Sequence, residues 1–89
     1  MTKSEVLEKL KGFKYVQTLA PNQTIVKFDN GRVFQSYDST ICIILDGQTY
    51  LTREWNYSKT TGKYRNIFLG ENLKATELQI KKCEYKILL

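Results

Sequence analysis

Histidine is absent from the 89 residues, cysteine occurs twice and proline once. Without histidine the chain lacks the commonest metal ligand and the side chain best suited to moving protons near neutral pH. Cys42 and Cys83 have no second thiol at the spacing of a zinc knuckle, so no metal site is expected. A disulfide between them is arithmetically open, but Cys42 lies inside the apolar run Ile41-Cys42-Ile43-Ile44-Leu45, where a small buried thiol is the simpler reading. No window approaches the roughly 18 apolar residues of a membrane span. Met1-Thr2-Lys3-Ser4-Glu5 lacks the apolar stretch of a secretory signal, so the expectation is a cytoplasmic protein without membrane contact. There is no Gly-rich phosphate loop, no nucleophile with a histidine base and no RNP-like motif, and Glu71, Glu77 and Glu84 form no catalytic pair. An enzyme is therefore not expected, and no cofactor is implied.

What is present can fold. Apolar residues make up 42% of the chain and aromatics 12%, enough to bury a core, and the length predicts one compact domain over residues 1–89. Thr2 and Glu5 have capping-box spacing, and Val6, Leu7 and Leu10 then fall on one side of a helix over about 3–11 that Gly12 ends. So short a helix needs a sheet to dock on. Residues 13–19 and 24–29 are β-branched and aromatic and flank Ala20-Pro21-Asn22-Gln23, which reads as a hairpin turn.

Asp29-Asn30-Gly31-Arg32 predicts a second hairpin with a type I′ turn at Asn30-Gly31. Counting back from it pairs Phe28 with Val33, Val26 with Gln35 and Thr24 with Tyr37. Val26, Phe28, Val33 and Tyr37 then share one face, and the mixed opposite face of Ile25, Lys27, Phe34 and Ser36 calls for a helix to cover part of it. Asp46-Gly47 predicts a third tight turn, between 41–45 and 48–51. Sequential connections of this kind favour an antiparallel meander of about four to five strands.

After residue 53 the pattern becomes helical. Ser58 caps and Gly70 stops a helix over about 59–69 with a Tyr64, Ile67, Phe68 stripe, and a second helix spans roughly 73–83 with Leu73, Ile80 and Cys83 near one face. Residues 84–89 alternate enough for a terminal edge strand, with a docked coil as the other possibility. The fold class is α+β, with a short N-terminal helix and two C-terminal helices.

The net charge of +5 is uneven. Residues 53–65 hold four cations and one carboxylate, whereas residues 15–52 hold two cations and three carboxylates. A helix starting at Lys59 points free N–H groups outward beside the hydroxyls of Ser58, Thr60 and Thr61, with Lys59 and Lys63 close by, an arrangement suited to phosphate. The helical repeat puts Lys59, Gly62, Lys63 and Asn66 on one polar face. An alternating stretch around 53–57 would send Arg53, Trp55 and Tyr57 to one side, where the two rings offer stacking surfaces to bases. The plain reading is a capped helix with first-turn threonines, solvated lysines and core aromatics.

The segments Val33-Phe34-Gln35-Ser36-Tyr37, Tyr50-Leu51 and Trp55 through Gly70, above all Tyr57-Ser58-Lys59-Thr60-Thr61 leading to Phe68-Leu69-Gly70, carry a resemblance. Over most of residues 13–86 the chain resembles a family of small uncharacterised proteins encoded by tailed phages and prophages of Gram-positive bacteria. The resemblance implies a phage or prophage origin and action in the bacterial cytoplasm; it brings no activity, cofactor or catalytic residue. Family members often have glycine where this chain has Cys83, which implies a different bend at the end of the last helix.

The expected function is thus that of a non-enzymatic accessory protein contacting nucleic-acid phosphates, with Ser58, Thr60 and Thr61 as donors and Lys59, Lys63 and Arg65 as cationic contacts. The alternative is a protein-binding inhibitor or modulator of a host or antiphage defence protein, anchored by Trp55, Tyr57 and Arg65. A minor structural or assembly component is a third reading.

Overall fold

The computed structural model describes residues 1–88. Leu89, the last residue of the expected terminal strand, lies outside the described residues. The elements run α1 (Lys3–Glu8), β1 (Phe13–Ala20), β2 (Gln23–Phe28), β3 (Gly31–Ser36), β4 (Ser39–Leu45), β5 (Gln48–Leu51), α2 (Lys59–Leu69), α3 (Leu73–Lys81) and β6 (Lys86–Ile87). The fold is α+β, a single sheet in the order β1-β2-β3-β4-β5-β6. The first five strands form an antiparallel meander. The sixth strand exceeds the four to five expected and pairs parallel to β5, with Leu51 opposite Ile87. Its direction follows from the two helices that intervene, since a parallel neighbour requires a crossover.

Both sheet faces are covered because adjacent strand residues point opposite ways. On one face Val33, Ile43, Leu45 and Tyr50 pack with Val6 and Leu10 of the α1 region and with Leu88. On the other, Ile25, Phe34, Cys42 and Leu51 pack with Phe68 of α2, and Trp55, Ile80 and Tyr85 close the edge. Phe34 and Phe68 stack with centroids 5.9 Å apart, and the Arg32 guanidinium lies 4.7 Å from the Phe68 centroid. The mixed face of β2 and β3 is therefore covered by a helix, as its composition requires. Strand β1 is a long exposed edge, interrupted by register shifts at Phe13/Tyr15 and Thr18/Ala20 that blunt it as a template for further pairing. Among the described residues no helix is long and apolar enough to cross a membrane.

Several local expectations are corrected. Helix α1 ends at Glu8 rather than near 11, although its Thr2/Glu5 capping box forms. The second hairpin turns at Asp29-Asn30 with Phe28 opposite Gly31, so Val26 pairs with Val33 and Thr24 with Gln35. None of Asp29, Asn30 and Gly31 takes positive φ. Tertiary contacts set this register: the Asn30 side chain accepts from Lys11 N and donates to Lys9 O, each at 2.8 Å, tying the turn to the end of α1. Glycine at 31 serves close approach, since a Cβ there would lie 2.1 Å from the Ile44 carbonyl oxygen. The type I′ geometry occurs at Asp46-Gly47, where φ is +48° and +82°. Tyr37, assigned to the Val26 and Phe28 face, sits instead in the turn between β3 and β4 at φ +56°.

Helix α2 has the expected bounds, but its inward face is Thr61, Arg65 and Phe68, and Ile67 is exposed. Helix α3 starts from an Asn72 cap and ends at Lys81, short of 83. Cys83 is exposed rather than on its apolar side, and takes φ +60°, the left-handed region glycine prefers. Both thiols are free, with Cys42 buried.

Candidate phosphate site at the start of helix α2

Residues 53–56 form a turn rather than the alternating strand expected, and this turn sets the entry into α2. Thr52 anchors it from below, its hydroxyl donating to Thr40 O at 2.6 Å. Ser58 then caps α2, its Oγ accepting from Thr61 N at 3.1 Å, while its carbonyl accepts from Gly62 N at 2.9 Å. The amides of Lys59 and Thr60 have no acceptor among the described residues. They remain available at the positive end of the helix dipole.

The expected site residues separate into two groups. Ser58, Lys59, Thr60 and Lys63 are exposed. Thr61 and Arg65 are inside. Thr61 is fully buried and its hydroxyl is shared with Ser36 at 3.0 Å and Ser58 at 3.2 Å, so it fastens α2 to β3 and is not a free phosphate donor. Arg65 is only 1% exposed. It lies one turn beyond Thr61, on the face that must pack, and is therefore drawn under the Trp55 turn.

The guanidinium of Arg65 defines the site. Its Nη1 donates to Trp55 O at 2.8 Å and Asn56 Oδ1 at 3.3 Å, its Nη2 donates to Asn66 Oδ1 at 3.0 Å, and its Nε has no partner. Every acceptor is neutral. The only ion pair among the described residues is Lys14–Asp29 at 3.6 Å, which does not involve Arg65. Burial moves the Arg65 pKa down, outweighing the opposite pull of Cys42, Glu71 and Glu77. Glu71 is committed elsewhere, accepting from Thr76 Oγ1 at 2.6 Å and Tyr85 OH at 2.8 Å. A buried charge without a counter-ion is costly.

The space beside that charge is open. A cleft of about 560 Å³ is lined by Asn56, Ser58, Lys59, Gly62, Lys63, Arg65 and Asn66, with Leu73 as its apolar wall. Gly62 lines it, and a Cβ there would make ordinary contact with the guanidinium, 3.5 Å from Arg65 Nη2 and 3.7 Å from Nη1. The backbone and side chain of Lys59, the Lys63 side chain and the Arg65 guanidinium thus line one cavity, a donor set suited to an oxyanion, while Thr60 lines the neighbouring cleft.

The aromatic residues also divide. Trp55 is half-buried, packs with the α2/α3 side of the core and lies 5.3 Å from the Arg65 guanidinium, so it is not a free stacking surface. Tyr57 is 69% exposed. Of the alternative trio, Tyr57 is presented to solvent, Trp55 is half-buried and borders a cleft with Lys74, Glu77, Leu78 and Lys81 of α3, and Arg65 is buried. Asn66 lines the cleft with Lys59, Gly62 and Lys63, as its place on the polar face of α2 predicts, whereas sequence reasoning assigned Tyr37 to another face and missed Asn56. What the sequence did not signal is that Asn56 and Asn66 accept from Arg65, because the inward direction of that arginine depends on the packing of α2.

Comparison with known proteins gives a family without an activity. The chain belongs to DUF8033, a family of unknown function whose model matches residues 7–86. No curated protein and no solved structure matches the chain.

Proposed function

We propose that this is a small non-enzymatic accessory protein that binds nucleic acid by its phosphates at the start of α2. The observation that carries the reading is Arg65, a buried guanidinium with a free Nε and no carboxylate partner, lining a cleft with Lys59 and Lys63. A phosphate in this cleft supplies the missing anion and receives the Lys59 amide, with Lys59 and Lys63 as cationic contacts; the Ser58 hydroxyl is donated to Thr61 and Thr60 lines the neighbouring cleft, so these two expected hydroxyl donors do not serve it. The wider field agrees: residues 53–86 contain eight cations and four carboxylates, whereas residues 13–52 contain three of each. The resemblance to phage and prophage proteins supports a phage-derived origin and action in a bacterial cytoplasm.

The test is the salt dependence of binding to a labelled oligonucleotide. Three phosphates neutralised give a log-log slope near about −2.7 on duplex and about −2.1 on a single strand. Replacing Lys59 and Lys63 by alanine flattens it to about one third. An unchanged slope in the double variant removes this surface from the reading, and a stoichiometric protein partner that survives nuclease treatment favours the host or antiphage protein alternative.

A further inference from the structure

We propose that a second cleft beside the α2 cap receives an unpaired base, which makes the preferred ligand a single-stranded nucleic acid. This rests on the phosphate reading of α2 and adds the strand state of the partner. Tyr37, 56% exposed in the β3–β4 turn, and Tyr57, just ahead of α2, line one cleft of about 420 Å³ with Asp38, Ser39, Ser58 and Thr60. Neither ring packs on another aromatic side chain among the described residues. Tyr37 is held there by a left-handed backbone, which residues with a Cβ disfavour, and its amide donates to Asn22 O at 2.7 Å. That bond braces one turn against the other and fixes where the ring stands.

Ser58 lines both this cleft and the one containing Arg65. The phosphate and base sites therefore meet at the helix cap, as phosphate and base meet through a sugar in one nucleotide. In a duplex, bases are stacked inward and paired, so a surface gripping the backbone cannot also take a base face; an unpaired strand presents both. Asp38 sorts the two ends. Its carboxylate repels phosphate from the tyrosine side and accepts hydrogen bonds from the amino groups on base edges.

The experiment is fluorescence anisotropy of the full chain with a labelled oligonucleotide, single-stranded and annealed to its complement, at one fixed salt concentration. The single strand is expected to bind about tenfold more tightly than the duplex. Tyr37→Ala and Tyr57→Ala each weaken single-strand binding by about fivefold or more and leave duplex binding unchanged, while the phenylalanine variants keep the wild-type preference. Because both side chains are exposed, the alanine variants should retain the wild-type thermal midpoint, which checks that folding is intact. Equal affinity for the two forms, or alanine variants with wild-type single-strand affinity, overturns the base cleft and leaves the phosphate site standing. No binding of either form overturns both.

Discussion

Arg65 Nη1 donates to the main-chain oxygen of Trp55 at 2.8 Å, and the guanidinium carbon lies 5.3 Å from the indole centroid of the same residue. One side chain thus holds the turn before α2 by its backbone and by its ring. The arrangement explains why a cation sits where a leucine would otherwise be expected. It also makes the turn and the anion site one unit.

Replacing Arg65 by methionine separates the two roles. The variant loses three donated bonds but removes a buried, uncompensated charge, and an apolar side chain of similar length fills the space. Stability in urea is expected to change by no more than about 1 kcal/mol, the lost bonds offsetting the removed buried charge, with the salt slope of oligonucleotide binding reduced by about one third. A loss of more than about 3 kcal/mol with an unchanged salt slope would show that the guanidinium is there for structure alone.

Gly62 presents the same trade in smaller form. Glycine inside a helix costs about 1 kcal/mol relative to alanine, and a Cβ here would add a methyl to the cleft wall in ordinary contact with the buried guanidinium, 3.5 Å from Nη2. Gly62→Ala is expected to raise stability by about 1 kcal/mol and to weaken phosphate binding. A stabilised variant with undiminished affinity would mean that the ligand does not approach Arg65 from this side.

The α2 boundaries, its serine cap and its exposed lysines were legible because they depend on neighbours in sequence. The direction of Arg65 was not. Thr61, Arg65 and Phe68 became the inward face because Ser36 offers Thr61 a hydroxyl and Phe34 offers Phe68 a ring, both from a strand more than twenty residues earlier. The same cause lies behind the Asp29-Asn30 turn. Asn-Gly geometry favours type I′, but the bonds from Asn30 to Lys9 and Lys11 and the contact of Gly31 with β4 set a different register. The sheet faces survived that error, since a shift of two residues preserves alternation.

The two thiols should differ sharply. Burial pushes the Cys42 thiol up to about 12, whereas Cys83 stands in solvent. Ellman's reagent is expected to titrate one thiol per native chain at once and the second only after denaturation. Two fast thiols would contradict the packing of β4 beneath α2.

Alkaline pH tests the α3 edge. Burial, and then the bond to Glu71, raise the Tyr85 phenol above its ordinary value of 10.0. The folded chain therefore keeps this proton after the unfolded chain has lost it. Its contribution to stability is complete below the unfolded value and falls as pH rises past it toward the folded one. Urea midpoints at about pH 9 and about pH 11 should show a fall that is smaller in Tyr85→Phe. An equal fall in the variant would assign the effect to other groups.

The most direct measurement is a nitrogen-15 correlation spectrum of the protein titrated with inorganic phosphate and then with a short single-stranded oligonucleotide. Saturable shifts are expected at the Lys59 and Thr60 amides and at the Arg65 Nε–H, with the amides of β1 unmoved. Shifts scattered over surface lysines, with the Arg65 Nε–H resonance unchanged at saturation, would contradict the account.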